Sequence, residues 1–145
     1  MTPFKSKAVF LFSLLLLNFQ CDEEADLLQN ECEEFVIIDS ERYTTLNSDL
    51  FNITTTEIEG DCLSIAISAS GCDGGSWVLS LIDSGDVAES LPSQRFLKLV
   101  LVNNEACLAV ISQNLSFNIS ELRIADENKV QLNIEGSSTP IMYSY

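Results

Sequence analysis

Apolar and polar positions alternate in short runs over most of this chain. In Cys62–Ser70, Leu63, Ile65, Ile67 and Ala69 fall on one face, with Ser64, Ala66 and Ser68 between them. That period of two marks a half-buried strand. Trp77, Leu79 and Leu81 repeat the pattern, as do Leu115, Phe117 and Ile119, and Val130, Leu132 and Ile134. Phe35–Ile38 and Cys107–Ser112 are short apolar runs, and Ile53–Glu59 carries a threonine run. Arg95–Val102 is apolar on both faces apart from Lys98, as a central strand would be. Ile141, Tyr143 and Tyr145 close the chain.

The intervals read as turns and loops. Gly60-Asp61, Gly71–Gly75, Asn103–Ala106 and Gly136–Pro140 are turns. Ser84–Gln94 holds Gly85 and Pro92 and reads as a longer loop. Ser40–Leu50 and Ser120–Asp126 each have room for one helical turn. Short strands at this spacing predict an all-β fold, an antiparallel β-sandwich of about 7–9 strands.

The first twenty residues follow a different rule. Lys5 and Lys7 precede an almost wholly apolar run, Ala8–Leu17, which stops at Cys21. The run has the length of a signal-peptide apolar region and is shorter than the ~20 residues that span a bilayer. No small-residue cleavage site precedes Cys21; Asn18, Phe19 and Gln20 stand there. Directly after it come Asp22, Glu23, Glu24 and Asp26.

An apolar run closed by one cysteine resembles a bacterial lipoprotein signal. In that family the thiol receives a diacylglyceryl group and cleavage leaves the cysteine first. Phe19 and Gln20 depart from the usual small residues, as in relaxed signals of the Bacteroidota. The acidic run resembles the signal that sends such lipoproteins to the outer leaflet. Polar, acidic and with little periodicity, 21–31 reads as a tether to one domain over 32–145; the resemblance implies a signal peptide over 1–20 and lipidation at Cys21. It places the chain at the outer membrane or cell surface, held to the membrane through its lipid. The competing reading is a secreted soluble β-domain without lipid.

Removing the leader takes two of the seven basic residues and none of the 22 acidic ones, so five face 22 and the net charge is −17. A field of that sign repels phosphate backbones, which excludes nucleic acid as a partner. Solubility and spacing from a surface account for the charge without a specific cationic ligand. No histidine is present, so neither a Ser-His-Asp nor a Cys-His unit can be built.

Four cysteines remain besides Cys21. Cys62 and Cys72 lie at opposite ends of one strand, roughly 30 Å apart at about 3.3 Å per residue, whereas bridged Cα atoms lie within ~7 Å. Counting strands up and down puts Cys72 and Cys107 at one end and Cys32 beside Cys62 at the other. The expected bridges are Cys32–Cys62 and Cys72–Cys107. No closely spaced cysteine pair of the zinc-binding kind occurs.

Asp73, Asp83 and Asp86 sit in acid-glycine turns and could offer oxygen to Ca²⁺, although no EF-hand loop pattern surrounds them. Such turns are also ordinary in metal-free β proteins. Asn52-Ile53-Thr54, Asn114-Leu115-Ser116 and Asn118-Ile119-Ser120 match glycosylation acceptors but fall in expected strands.

Gly60–Tyr145 also looks like small Bacteroidota lipoprotein domains of unassigned function. The resembling features are the strand ending Ser70-Gly71-Cys72, the start Ala106-Cys107-Leu108 and the run Leu115–Ile119. It is distantly similar to the C-terminal sandwich of NigD-like proteins. That resemblance implies a fold and a location and carries no catalytic residue or cofactor. The expected function is a non-catalytic, lipid-anchored envelope domain that binds an envelope protein or glycan or serves a structural role. The alternative is a glycan-active enzyme using two carboxylates.

Overall fold

The computed structural model describes residues 32–145. The expected signal peptide, the expected lipidation site Cys21 and the expected acidic tether lie outside these residues. Within them stand nine strands: β1 Glu34–Phe35, β2 Ile37–Ile38, β3 Asn52–Glu59, β4 Cys62–Gly71, β5 Val78–Ala88, β6 Gln94–Val102, β7 Ala109–Asn118, β8 Lys129–Ile134 and β9 Ile141–Ser144. A helix, α1 Ser40–Thr45, follows β2, and a 3-10 turn occupies Ser120–Leu122.

The strands form two open sheets. One has the order β1-β7-β4-β3 and the other β2-β5-β6-β8-β9. The alternating residues meet between them. Leu63, Ile65 and Ile67 of β4 and Phe117 of β7 share a core with Leu97, Leu99 and Leu101 of β6, Val130 and Leu132 of β8, Trp77 and Tyr143. Burying each such leucine or isoleucine contributes about 1.5–3 kcal/mol.

Strand β6 is third of five in its sheet, as its two apolar faces require. The helix α1 packs on the neighbouring strand β5, beside the outer face of β6. Asp39 caps α1 by accepting the Arg42 N–H at 2.9 Å. Lys98 reaches from β6 to the other end of the helix and donates to the carbonyls of Tyr43 and Leu46. A cation on the last carbonyls of a helix satisfies them and opposes the helix dipole. Lys98 therefore fixes the C-terminal end of α1 to the sheet, while the Asp39 N–H, donating to the Asp83 carbonyl, fixes the other.

Four details differ from the sequence expectation. Three pairings are parallel: β1 with β7, β2 with β5 and β6 with β8. The Phe35–Ile38 run is divided between the two sheets and runs opposite to the direction that strand counting gives it. The expected loop Ser84–Gln94 shortens to Glu89–Ser93, because β5 passes through a bulge between Asp83 and Val87, re-pairs with β6 and runs on to Ala88. Gly85, at φ +81°, supplies the left-handed residue of that bulge. Finally, the runs around Cys107–Ser112 and Leu115–Ile119 are one continuous strand, β7.

Candidate functional site

The cysteines stand at opposite ends of the sandwich. Cys32 bonds to Cys62 with Cα atoms 5.5 Å apart, and Cys72 bonds to Cys107 at 4.8 Å. The first bridge fixes the start of the described chain to the start of β4. The second joins the β4–β5 turn to the β6–β7 loop.

Beside the second bridge the β4–β5 turn closes on a carboxylate. The N–H groups of Cys72, Asp73 and Gly74 all donate to Glu105 Oε2, and the hydroxyl of Ser76 donates to Oε1. Successive backbone N–H groups of this kind form an anion-holding nest. Partial desolvation would raise the Glu105 pKa, but the donors from Cys72, Gly74, Ser76 and Asp73 outweigh it and hold the group down at about 2. Gly71 lies directly under this arrangement. A Cβ there would come 2.5 Å from Glu105 Oε2 and 2.8 Å from the Trp77 ring, so only glycine fits. In the sequence Glu105 is one residue of an Asn-Asn-Glu turn; only the fold puts it opposite Gly71–Gly75.

The calcium candidates do not converge. Asp73 accepts from the Gly75 N–H within its own turn. Asp83 is fully buried and accepts from Arg95 Nη1 at 2.8 Å and from the Gly85 N–H. Asp86 is exposed. Among the described residues no group of three or more acidic, cysteine or histidine side chains is placed to hold a metal ion. Burial pushes the Asp83 pKa up against the opposing pull of Gly85 and Arg95. Asp83 Oδ2 and Arg95 Nε are both buried without a hydrogen-bond partner. The pair is thus only half satisfied, which makes each member dependent on the other.

A third cluster ties the C-terminal strand to the β3–β4 turn. Arg123 Nη2 donates to both Asp61 oxygens, at 2.6 and 2.8 Å, and Arg123 Nε donates to Tyr143 Oη at 3.0 Å. The Tyr143 hydroxyl in turn donates to Asp61. The tyrosine bond and the guanidinium hold the Asp61 pKa below its usual value. Burial, then the Asp61 carboxylate, push Tyr143 up to about 12.

Among the described residues, interior strands as well as the outermost ones are left partly unpaired along one side. The β6 edge meets β8 only up to Leu97, whose carbonyl accepts the Glu135 N–H; beyond it, the Leu101 carbonyl accepts the Asp49 N–H. Leu99, between them, faces a cleft of about 330 Å³ flanked by Ser48, Phe51 and Glu135. The β7 edge is longer. β4 covers one side of β7 along its whole length, whereas β1 covers the other side only at Phe117 and Asn118. The sequence pattern shows that β7 is a strand and does not show that, among the described residues, most of one side has no partner strand.

No protein-family model matches the chain, and no curated protein matches it. Two solved structures share its fold. One is a protein of unknown function, DUF1344, from Bacteroides vulgatus, with a TM-score of 0.55 and 13% identity over 77% of this chain and 56% of that one. The other is a NigD-like immunity protein from Bacteroides caccae, with a TM-score of 0.55 and 12% identity over 76% of this chain and 58% of that one. The chain therefore spans less than two thirds of either neighbour, and at such identities the likeness is one of fold. In structure, the chain is distantly similar to NigD-like proteins.

Proposed function

We propose that this chain is a lipid-anchored cell-envelope domain, held to the membrane through Cys21, that acts by binding a protein or glycan partner without catalysis. One observation carries the non-catalytic part. The three described carboxylates with displaced pKa values, Asp61, Asp83 and Glu105, are each held by the chain's own donors. A carboxylate-based glycosidase needs an acid of raised pKa facing an open pocket. Asp83 has the raised pKa, but it is buried against Arg95. The fold likeness to a protein described as an immunity protein supports the same reading.

The anchoring part rests on the leader, Lys5 and Lys7 followed by Ala8–Leu17 and Cys21, with acids directly after it. Mass spectrometry of the mature N-terminus from a membrane fraction tests it. The expected result is Cys21 first, carrying lipid mass; a free amine on another residue overturns it. Cys21→Ser is expected to move the protein to the soluble fraction. A glycan-hydrolysis screen is expected to show no turnover. Turnover that disappears on an Asp→Asn substitution would replace binding with catalysis.

A further inference from the structure

We propose that the bare side of β7 is a docking edge for an extended, cationic strand of another protein. The inference rests on the binding reading above and specifies its surface. The geometry comes from residue parity. The Val36 N–H donates to the Asn118 carbonyl, and the Ser116 N–H points to the Glu33 carboxylate on the same side. Even-numbered residues of β7 therefore aim their main-chain groups away from β4. Val110, Ser112 and Asn114 each present an N–H and a C=O to that side, and no described strand pairs with them.

Bare edges are normally guarded by charge, proline, bulges or brevity. The outermost strands here follow that rule. β3 carries Glu57 and Glu59 and a register break between Ile53 and Thr55. β5 is bulged and bears Asp86, while β2 and β9 have two and four residues. β7 has none of these protections. Its ten residues are uncharged, contain no proline and run in unbroken register. Val110 is 76% exposed and Leu108, just before the strand, is 90% exposed.

Charge selects the occupant. A second copy would bring another strongly acidic domain, net −15 over the full chain, against the same edge. Glu33 and exposed Glu34 flank the lower end of the bare stretch. Like charges across a contact oppose association, and opposite charges steer it. The fitting partner has an uncharged, β-branched centre that completes the ladder and basic residues at its flanks, the mode known as β-strand addition.

The test uses the whole chain and amide hydrogen exchange read residue by residue by NMR. In the protein alone, Val110, Ser112 and Asn114 are expected to exchange fast, and Ile111, Gln113 and Leu115, which face β4, slowly. The probe is a synthetic peptide alternating threonine and valine with two lysines at each end. It is expected to slow the three even-numbered amides by about tenfold or more. A glutamate-flanked peptide, and a lysine-flanked one N-methylated at alternate residues, are expected to leave them unchanged. Ser112→Pro, which removes only an outward N–H, is expected to abolish the effect while the β4-facing amides stay protected. The proposal is overturned if the lysine-flanked peptide protects nothing or if the glutamate-flanked peptide works equally well. Protection without peptide, accompanied by a doubled mass, would assign the edge to a second copy instead. None of these failures touches the Cys21 or turnover measurements, so the broader reading stands or falls separately.

Discussion

Two buried or half-buried acids titrate in opposite senses, and each makes a distinct signature. Glu105 has a folded pKa of about 2 against an ordinary 4.5. Its stabilising contribution is present above pH 4.5 and is lost as pH falls toward 2. Glu105→Gln is expected to flatten stability across that window, measured as urea midpoint against pH. Asp83 is the reverse, since burial raises its pKa. Its contribution is greatest below the unfolded pKa and is lost as pH rises through the folded one. Arg95→Ala would strand the ionised carboxylate beneath the sheet. That change is expected to cost about 3–5 kcal/mol near pH 7, the typical penalty for breaking a buried pair. The cost should shrink in acid as Asp83 takes up a proton. A penalty independent of pH would mean that lost Arg95 packing, not the stranded charge, is responsible.

At the level of elements the two disulfides close loops of nearly equal length, with sequence separations of 30 and 35 residues. Chain entropy alone gives each about 2–4 kcal/mol and barely separates them. The surroundings do separate them. Losing Cys72–Cys107 also loosens the loop that delivers Glu105 to its nest, next to the central strand β6. Cys107→Ala is therefore expected to lower the urea midpoint more than Cys32→Ala; the opposite order would show that the nest assembles without the bridge. What the chain discloses in advance follows the same division. Alternation at Leu63–Ala69 and Val130–Ile134 announces both strands and their buried faces, because the pleat enforces a period of two. Lys98 within an apolar run hints at a covered outer face. Partner choice leaves no such trace. Nothing in Lys129–Ile134 says that β8 lies parallel to β6, and nothing in Glu34–Ile38 says that the run divides between sheets. Gly85 imitates a loop because a bulge uses the same residue as a turn, whereas Pro92 does stand in the short connection between β5 and β6. Glu105, Arg95 and Arg123 find their partners 12 to 62 residues away in sequence, distances at which local patterns carry no information.

The whole molecule carries 22 acidic residues against seven basic ones. Self-repulsion on that scale opposes compactness, and salt screens it over roughly 8–10 Å. Raising NaCl from low to physiological concentration is expected to lift the melting temperature by a few degrees, equivalent to roughly 1 kcal/mol. A flat response by calorimetry would mean that the acids are already too far apart to interact. The Cys32–Cys62 bond has a mechanical consequence as well. A pull applied through the preceding segment reaches Cys32 and passes across sulfur to the first residue of β4, an interior strand. The intervening loop, with β1, β2, α1 and β3, hangs off the load path. From this side, the first strand to bear the tension is β4, held by β3 and β7 on either side. Reduction would reroute the force through that loop and let about 100 Å of hidden chain pay out first, a difference an optical trap can read directly.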